Sequence, residues 1–248
     1  MTDTPTQPEL PGPGRALSAY LLGTLEFDAL LALQRRLVYE IGGDRGTSAL
    51  VLCDHPPGIT IGREGSRAHL RPSAEDLHAR GWPVRWVSRG GGAMLHLPGQ
   101  VACYPVFPLD ALGLTAARYV EELQAVAVDL VREYELTGTP EPERPGARVN
   151  GRRVAHVGAA VRDNVTCFGL VLNADPDLEP FRDVKCDGDP VPMTSLQRES
   201  AARVRVPGVR QRLVELIAAR FGFGRVSVFH THPGALPRPT RHAAAHRP

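Results

Sequence analysis

The sequence predicts an α+β fold: a single domain on a mixed or antiparallel β-sheet with flanking helices. Three observations carry that expectation. Three segments show amphipathic helical spacing, and apolar runs suited to buried strands lie between them. These elements are interspersed without the regular strand–helix–strand alternation of a parallel α/β sheet.

The first helix is expected after Thr24 as N-cap, where Phe27, Leu30, Leu31, Leu37 and Val38 recur at helical spacing. Ala49-Leu50-Val51-Leu52-Cys53 is apolar throughout and suits a buried strand. Val84-Arg85-Trp86-Val87-Ser88 reads as a strand running into Gly90-Gly91-Gly92, and Val101 through Val106 as the strand after that block. Thr115 is a second N-cap, ahead of Tyr119, Val120, Leu123, Ala127, Leu130 and Val131. Val154 to Val161 and Val165 to Leu172 form a predicted hairpin with Asp163-Asn164 at its turn. Pro207 fits the first turn of a third helix bearing Val209, Leu213, Leu216, Ile217 and Phe221, stopped by Gly222.

The 248 residues allow one large domain. Residues 1–14 and 232–248 are rich in Pro with Thr, Gly, Ala or His and are expected to be disordered tails, leaving residues 15–231 as the folded domain. A net charge of +2 gives no case for nucleic acid. No apolar stretch approaches the ~18 residues of a membrane span, and the N-terminus lacks the pattern of a signal peptide, so the expected location is cytoplasmic with no membrane partner. The four cysteines form no Cys-x-x-Cys pair and are expected to be free thiols.

Three consecutive glycines stabilise neither helix nor strand; they permit unusual dihedrals and close approach of a backbone or ligand. No Lys-Ser/Thr pair follows them, as a Walker loop requires, and no third spaced glycine opens a helix, as a dinucleotide fingerprint requires. A thiol at Cys186, this glycine-lined surface and a fixed cation at Arg153 are the parts of a thioester-forming acyltransferase.

The block Arg89 to Gln100, followed by Tyr104-Pro105, resembles the signature of the octanoyltransferases of lipoate synthesis, within the biotin/lipoate protein ligase fold. Asp54-His55-Pro56-Pro57, Gly151-Arg152-Arg153-Val154-Ala155, Val165-Thr166 with Gly169, Leu170 and Leu172-Asn173, and Thr194-Ser195-Leu196 resemble further motifs of that family in the same order, over roughly residues 25–221. The resemblance implies transfer of an octanoyl group from acyl carrier protein to a lysine on a lipoyl domain of 2-oxoacid dehydrogenase or glycine cleavage proteins. Cys186 would carry the acyl chain as a thioester. Neither a metal nor a nucleotide cofactor is implied. The backbone around Arg89, Gly90, Gly91, Gly92, Ala93, Met94, Leu95 and His96, around His156, Val157 and Gly158, and around Gly169, Leu170 and Val171 would line the acyl pocket.

The departures from the family pattern matter as much. The family lysine falls on Arg153, and arginine holds a charge but does not shuttle a proton. Arg153 is therefore expected to hold Cys186 as a thiolate while another group moves protons. Lys185, in place of a family proline, is one candidate; His156 is another. Strict strand alternation turns Arg153 and His156 to opposite faces, which argues against His156. Asp187, in place of a glycine, is expected to oppose thiolate formation. Met94, Leu95 and Leu97 make the pocket more apolar. The same departures also fit a relative that binds acyl groups or lipoyl domains and turns over little. An ATP-dependent ligase is the third alternative; it would use the missing lysine and have no use for the cysteine.

Overall fold

The computed structural model describes residues 15–141, 143–188 and 191–235. Among the described residues eleven strands run in chain order: β1 (Ala16–Thr24), β2 (Ala49–Asp54), β3 (Gly58–Ile61), β4 (Val84–Trp86), β5 (Ala93–His96), β6 (Gln100–Val106), β7 (Gly138–Pro140), β8 (Gly146–Val149), β9 (Arg152–Arg162), β10 (Val165–Asn173) and β11 (Arg225–Phe229). Six α-helices accompany them: α1 (Phe27–Gly43), α2 (Ala74–Ala79), α3 (Leu109–Leu112), α4 (Ala116–Glu133), α5 (Leu196–Glu199) and α6 (Val206–Phe221). The large sheet has the order β11-β1-β2-β6-β10-β9-β8-β7; a small one has the order β4-β3-β5. β1 runs parallel to both β2 and β11, and the remaining pairs of the large sheet are antiparallel, so the sheet is mixed, as expected.

Burial explains the arrangement. Leu17, Leu50, Leu52, Val101 and Leu170 point from the large sheet toward α4 and α6, whose Leu123, Leu130, Leu213 and Ile217 complete the principal core. The opposite face, through Val51, Ala102, Val106 and Val171, packs on Leu30, Leu33 and Leu37 of α1 and on Met94 of the small sheet. Burial of that kind contributes about 25 cal/mol per Å² of apolar surface. A third cluster, between the small sheet and α2, holds Ile59, Ile61, Leu95, Leu97, Phe181 and Val184 around Cys186. No helix among the described residues is long and apolar enough to cross a membrane.

The local signals act where they were expected, with two adjustments. Thr115 caps α4 by accepting from Arg118 N–H, and Gly222 ends α6 in the left-handed region at φ 72°. Asp163 and Asn164 turn the β9–β10 hairpin with φ of 51° and 60°, the signs a type I′ turn needs. Thr24 ends β1 instead of capping α1, whose N-cap is Glu26 without a side-chain bond. Ala93–His96, expected within a glycine-rich connection, is strand β5, paired antiparallel to β3. His232 packs edge-on against Tyr20 and accepts from Gly234 N–H, so the described chain continues past the expected boundary at residue 231. Residues 1–14 and 236–248 of the expected tails lie outside the described residues.

β9 contains the irregularity that builds the site. Arg153 pairs with Arg148 but Ala155 pairs with Ala147, so two steps on β9 oppose one on β8. The extra residue is a β-bulge, and it shifts side-chain alternation by one position. Val154, Ala155 and Val157 all join the principal core. Arg153 and His156 therefore emerge on the same face, contrary to the strict alternation expected from sequence.

Candidate active site

Cys186 opens a short 3₁₀ turn, Cys186–Gly188, between the two sheets. Asp187 adopts φ 55° and Gly188 φ 70°, so this turn has two successive left-handed residues. The motif residues around it hold the turn in place. Gln100 bonds Leu95 O, Leu97 N and Asn173 Oδ1, and Asn173 Nδ2 donates to Thr194 O at 2.9 Å. Arg153 N donates to Pro192 O and Thr194 N to Arg153 O, which ties the chain after Cys186 to β9.

Asp187 is the hub. Its Oδ2 accepts from Arg153 Nη1 at 3.2 Å and from His156 Nδ1 at 2.9 Å, and its Oδ1 accepts from Gly92 N–H at 2.7 Å. Burial works to raise its pKa, but the His156 bond, the Gly92 bond and the Arg153 charge outweigh it and hold the carboxyl well below the usual carboxylate range. Arg153, 1% exposed, also forks onto Glu141 through Nε at 2.7 Å and Nη2 at 3.1 Å. Glu141 takes a further cation from Arg148. The guanidinium thus meets two carboxylates, while its charge also favours the Cys186 thiolate against the stronger effect of burial. Burial pushes the Cys186 thiol up to about 12; a hydrogen bond with the Leu95 backbone and the charges of Arg153 and Arg89 pull the other way without overcoming it. The sulfur, 3% exposed, is therefore a protonated thiol.

The triple glycine is packed by backbone. Gly90 N donates to Ala159 O at 2.9 Å and Gly91 N to Glu64 Oε1 at 3.2 Å. A Cβ on Gly92 would stand 2.6 Å from Asp187 Cα, and one on Gly158 would stand 2.9 Å from Gly90 O. Glycine at these positions lets the loop, β9 and the Cys186 turn converge. Arg89 is 3% exposed and donates to Thr60 O, Thr60 Oγ1 and Gly90 O. Among the described residues it bonds no carboxylate, and burial lowers its pKa against the attraction of Asp187 and Cys186.

Three buried histidines surround this centre, and hydrogen bonding separates them. His55 is satisfied at both nitrogens, by Leu25 O at 2.6 Å and Tyr104 Oη at 2.9 Å, and burial lowers its pKa to about 4. His96 Nε2 lies 2.9 Å from Thr60 Oγ1. That hydroxyl also accepts from Arg89, so it joins the two side chains. Among the described residues, neither His96 Nδ1 nor His156 Nε2 has a partner. Burial lowers both pKa values, so both rings are neutral at pH 7.

The other residues of the expected pocket divide between faces. Ala93 and Leu95 face the Cys186 cluster, Met94 and Val171 face α1, and Val157 and Leu170 send their side chains into the principal core, where only their backbone can serve a pocket. A Cβ on Gly169 would stand 2.5 Å from Cys103 O, so that glycine serves packing between β10 and β6. Lys185 is exposed, away from the buried thiol, and lines a groove of about 940 Å³ together with Phe181, Val184 and Met193. Cys53 and Cys103 are fully buried. Sequence reading missed Glu141 and Thr60. A buried arginine's need for a carboxylate was the available signal for Glu141; nothing in the local pattern marked Thr60.

Residues 28–218 match the model of the lipoyl protein ligase A/B catalytic domain. An octanoyltransferase of Geobacter metallireducens is 34% identical over 203 residues, 82% of this chain and 90% of that protein. One of Chloroflexus aggregans is 33% identical over 211 residues, 84% and 96% of the two chains. Among solved structures, a T. acidophilum protein with bound lipoic acid superposes with a TM-score of 0.70 at 15% identity, covering 90% of this chain and 92% of that one. Lipoate-protein ligase A bound with ATP gives 0.68 at 14%, covering 86% and 88%. At that identity the structures speak for the fold. With the sequence matches spanning the glycine block, the β9 motif and the Cys186 turn, the chain belongs to the lipoyl protein ligase A/B catalytic-domain family, among relatives that are octanoyltransferases.

Proposed function

We propose that this chain moves an octanoyl group from acyl carrier protein to a lysine of a lipoyl domain, with Cys186 carrying the chain as a thioester. The observation that carries this reading is the setting of the thiol. Cys186 sits in an apolar cluster with Ile59, Ile61, Leu95, Leu97 and Phe181, the environment an aliphatic chain requires. Polar groups converge on the same turn from β9 and the glycine loop.

Chemically, covalent catalysis divides one acyl transfer into two easier steps. The Cys186 sulfur attacks the donor thioester, and the acceptor amine then attacks the acyl-enzyme. Arg89, a buried cation that bonds no carboxylate among the described residues, stabilises negative charge on sulfur and on the tetrahedral intermediate. His96 Nδ1, buried and without a partner among the described residues, is available to the reacting acyl group in the tautomer that places its proton there. Phe181 and Val184 belong to the Cys186 cluster and also line the 940 Å³ groove, so they form the wall a donor arm must pass.

The test is intact-mass and peptide mapping of the purified chain after incubation with octanoyl-carrier protein, followed by addition of a lipoyl domain. An octanoyl adduct on Cys186 that moves to the domain supports the reading. An adduct that stays indicates the arrested relative. Acylation of the domain only with ATP and free octanoic acid indicates a ligase.

A further inference from the structure

His156 is 2% exposed, is anchored at Nδ1 by Asp187, and has at Nε2 a lone pair with no partner among the described residues. Leaving a buried acceptor unsatisfied is unfavourable, so its persistence calls for a reason. The aspartate that anchors it is the residue after the nucleophile, and the bulge in β9 is what turns His156 toward that residue. His55, by contrast, has both nitrogens satisfied and is structural.

We propose that His156 is the proton-transfer group of the acyl transfer, with Asp187 anchoring its ring and Arg153 positioning Asp187. The assignment rests on the thioester reading of Cys186. In the first half-reaction the Cys186 S–H proton passes to His156 Nε2 as sulfur bonds to the donor carbonyl carbon. The carbonyl–sulfur bond to the donor's thiol then breaks, and that leaving sulfur takes the proton. In the second half, the acceptor amine bonds to the acyl carbon and yields a proton to Nε2. The bond to Cys186 breaks, and its sulfur recovers the proton.

The alternatives in the site are unsuited to this step. Arginine does not give up its proton, and Arg153 is committed to Glu141 and Asp187. Lys185 faces the outer groove. The groups that act on His156 are Asp187 at Nδ1, the Arg153 and Arg89 guanidinium groups, and His96 across the site. Asp187 favours the imidazolium; burial and the two cations favour the neutral ring, which is the form a base needs. A thiol near pKa 12 does not supply thiolate unaided, so in the proposed step the proton leaves as the sulfur attacks.

The test compares His156→Asn with wild type on octanoyl-carrier protein and a lipoyl domain. The Asn amide retains a donor to Asp187 and offers no basic nitrogen. The expected result is an unchanged melting temperature, transfer slowed by about 10²–10⁴-fold, and loss of the acid limb that protonation of His156, below the ordinary histidine range, should give wild type. His156→Ala should regain rate with added imidazole, whether or not the Asn variant folds. Transfer by His156→Asn within about threefold of wild type, an unaltered acid limb, or His156→Ala that imidazole does not rescue would overturn the assignment. A wild-type chain that transfers octanoate with no mass on Cys186 refutes the thioester reading itself, which this set of variants does not otherwise probe.

Discussion

Replacing Arg153 by lysine restores the residue type found at the matching family position and subjects the site to its most informative stress. The guanidinium donates charge-assisted bonds to Glu141, at 2.7 and 3.1 Å, and to Asp187 at 3.2 Å. A lysine ammonium is a point charge on a flexible stem and cannot reproduce a planar fork. At least one carboxylate oxygen loses its cation. Hydrogen bonds to charged groups are worth about 1.5–3 kcal/mol each. Breaking a buried pair outright costs about 3–5 kcal/mol. The expected loss for Arg153→Lys is therefore about 2–4 kcal/mol. In a domain of this size that is a fall in Tm of roughly 4–16 °C. Transfer should fall too, because Asp187 loses one of the groups that fix it. Urea unfolding followed by circular dichroism, alongside a transfer assay, measures both. A variant as stable as wild type and faster in transfer would refute the reasoning, since it would show that the site awaits a lysine and is not rebuilt around arginine.

Other expectations follow from the same geometry. Cys186, with a thiol near pKa 12, should react with iodoacetamide about 3,000-fold more slowly at pH 7 than a free thiol of pKa ~8.5, and the partly exposed Cys167 should be labelled first; peptide mapping against time decides. Gly92→Ala places a methyl group 2.6 Å from Asp187 Cα and should cost about 1–3 kcal/mol or more by overpacking, seen as a lower urea midpoint. Glu199, bonded by Arg152, Asn150 and Thr194, titrates at about 2 despite its desolvation. Its folded pKa is depressed, so its contribution to stability is complete above about pH 4.5 and is lost as pH falls toward 2; Glu199→Gln should flatten that part of the acid-unfolding curve.

The fold was legible where burial writes a period into the sequence. The helices containing Leu30, Leu123 and Leu213 show it, as does the hairpin turned by Asp163 and Asn164. β3 and β5 were not legible, because a four-residue strand buried on both faces has no alternation and β5 begins directly after three glycines. In the site, Cys186 and Arg153 stood out through their motifs. His156 was set aside because alternation is lost at a bulge, and a bulge is fixed by pairing with Arg148 and Ala147, not by local sequence. Asp187 was read only as a charge opposing the thiolate; its role as hub depends on Gly92 and His156, which lie 95 and 31 residues away along the chain. Glu141 lies in a proline-rich connection that reads as solvated surface until Arg153 is folded against it.

The most direct measurement is the mass of Cys186 after brief exposure of the intact chain to octanoyl-carrier protein without acceptor. The account predicts one octanoyl group on the peptide containing Cys186, released when a lipoyl domain is added and absent from Cys186→Ser. Transfer to the lipoyl domain at the wild-type rate by Cys186→Ser, or an adduct confined to another cysteine, would contradict it.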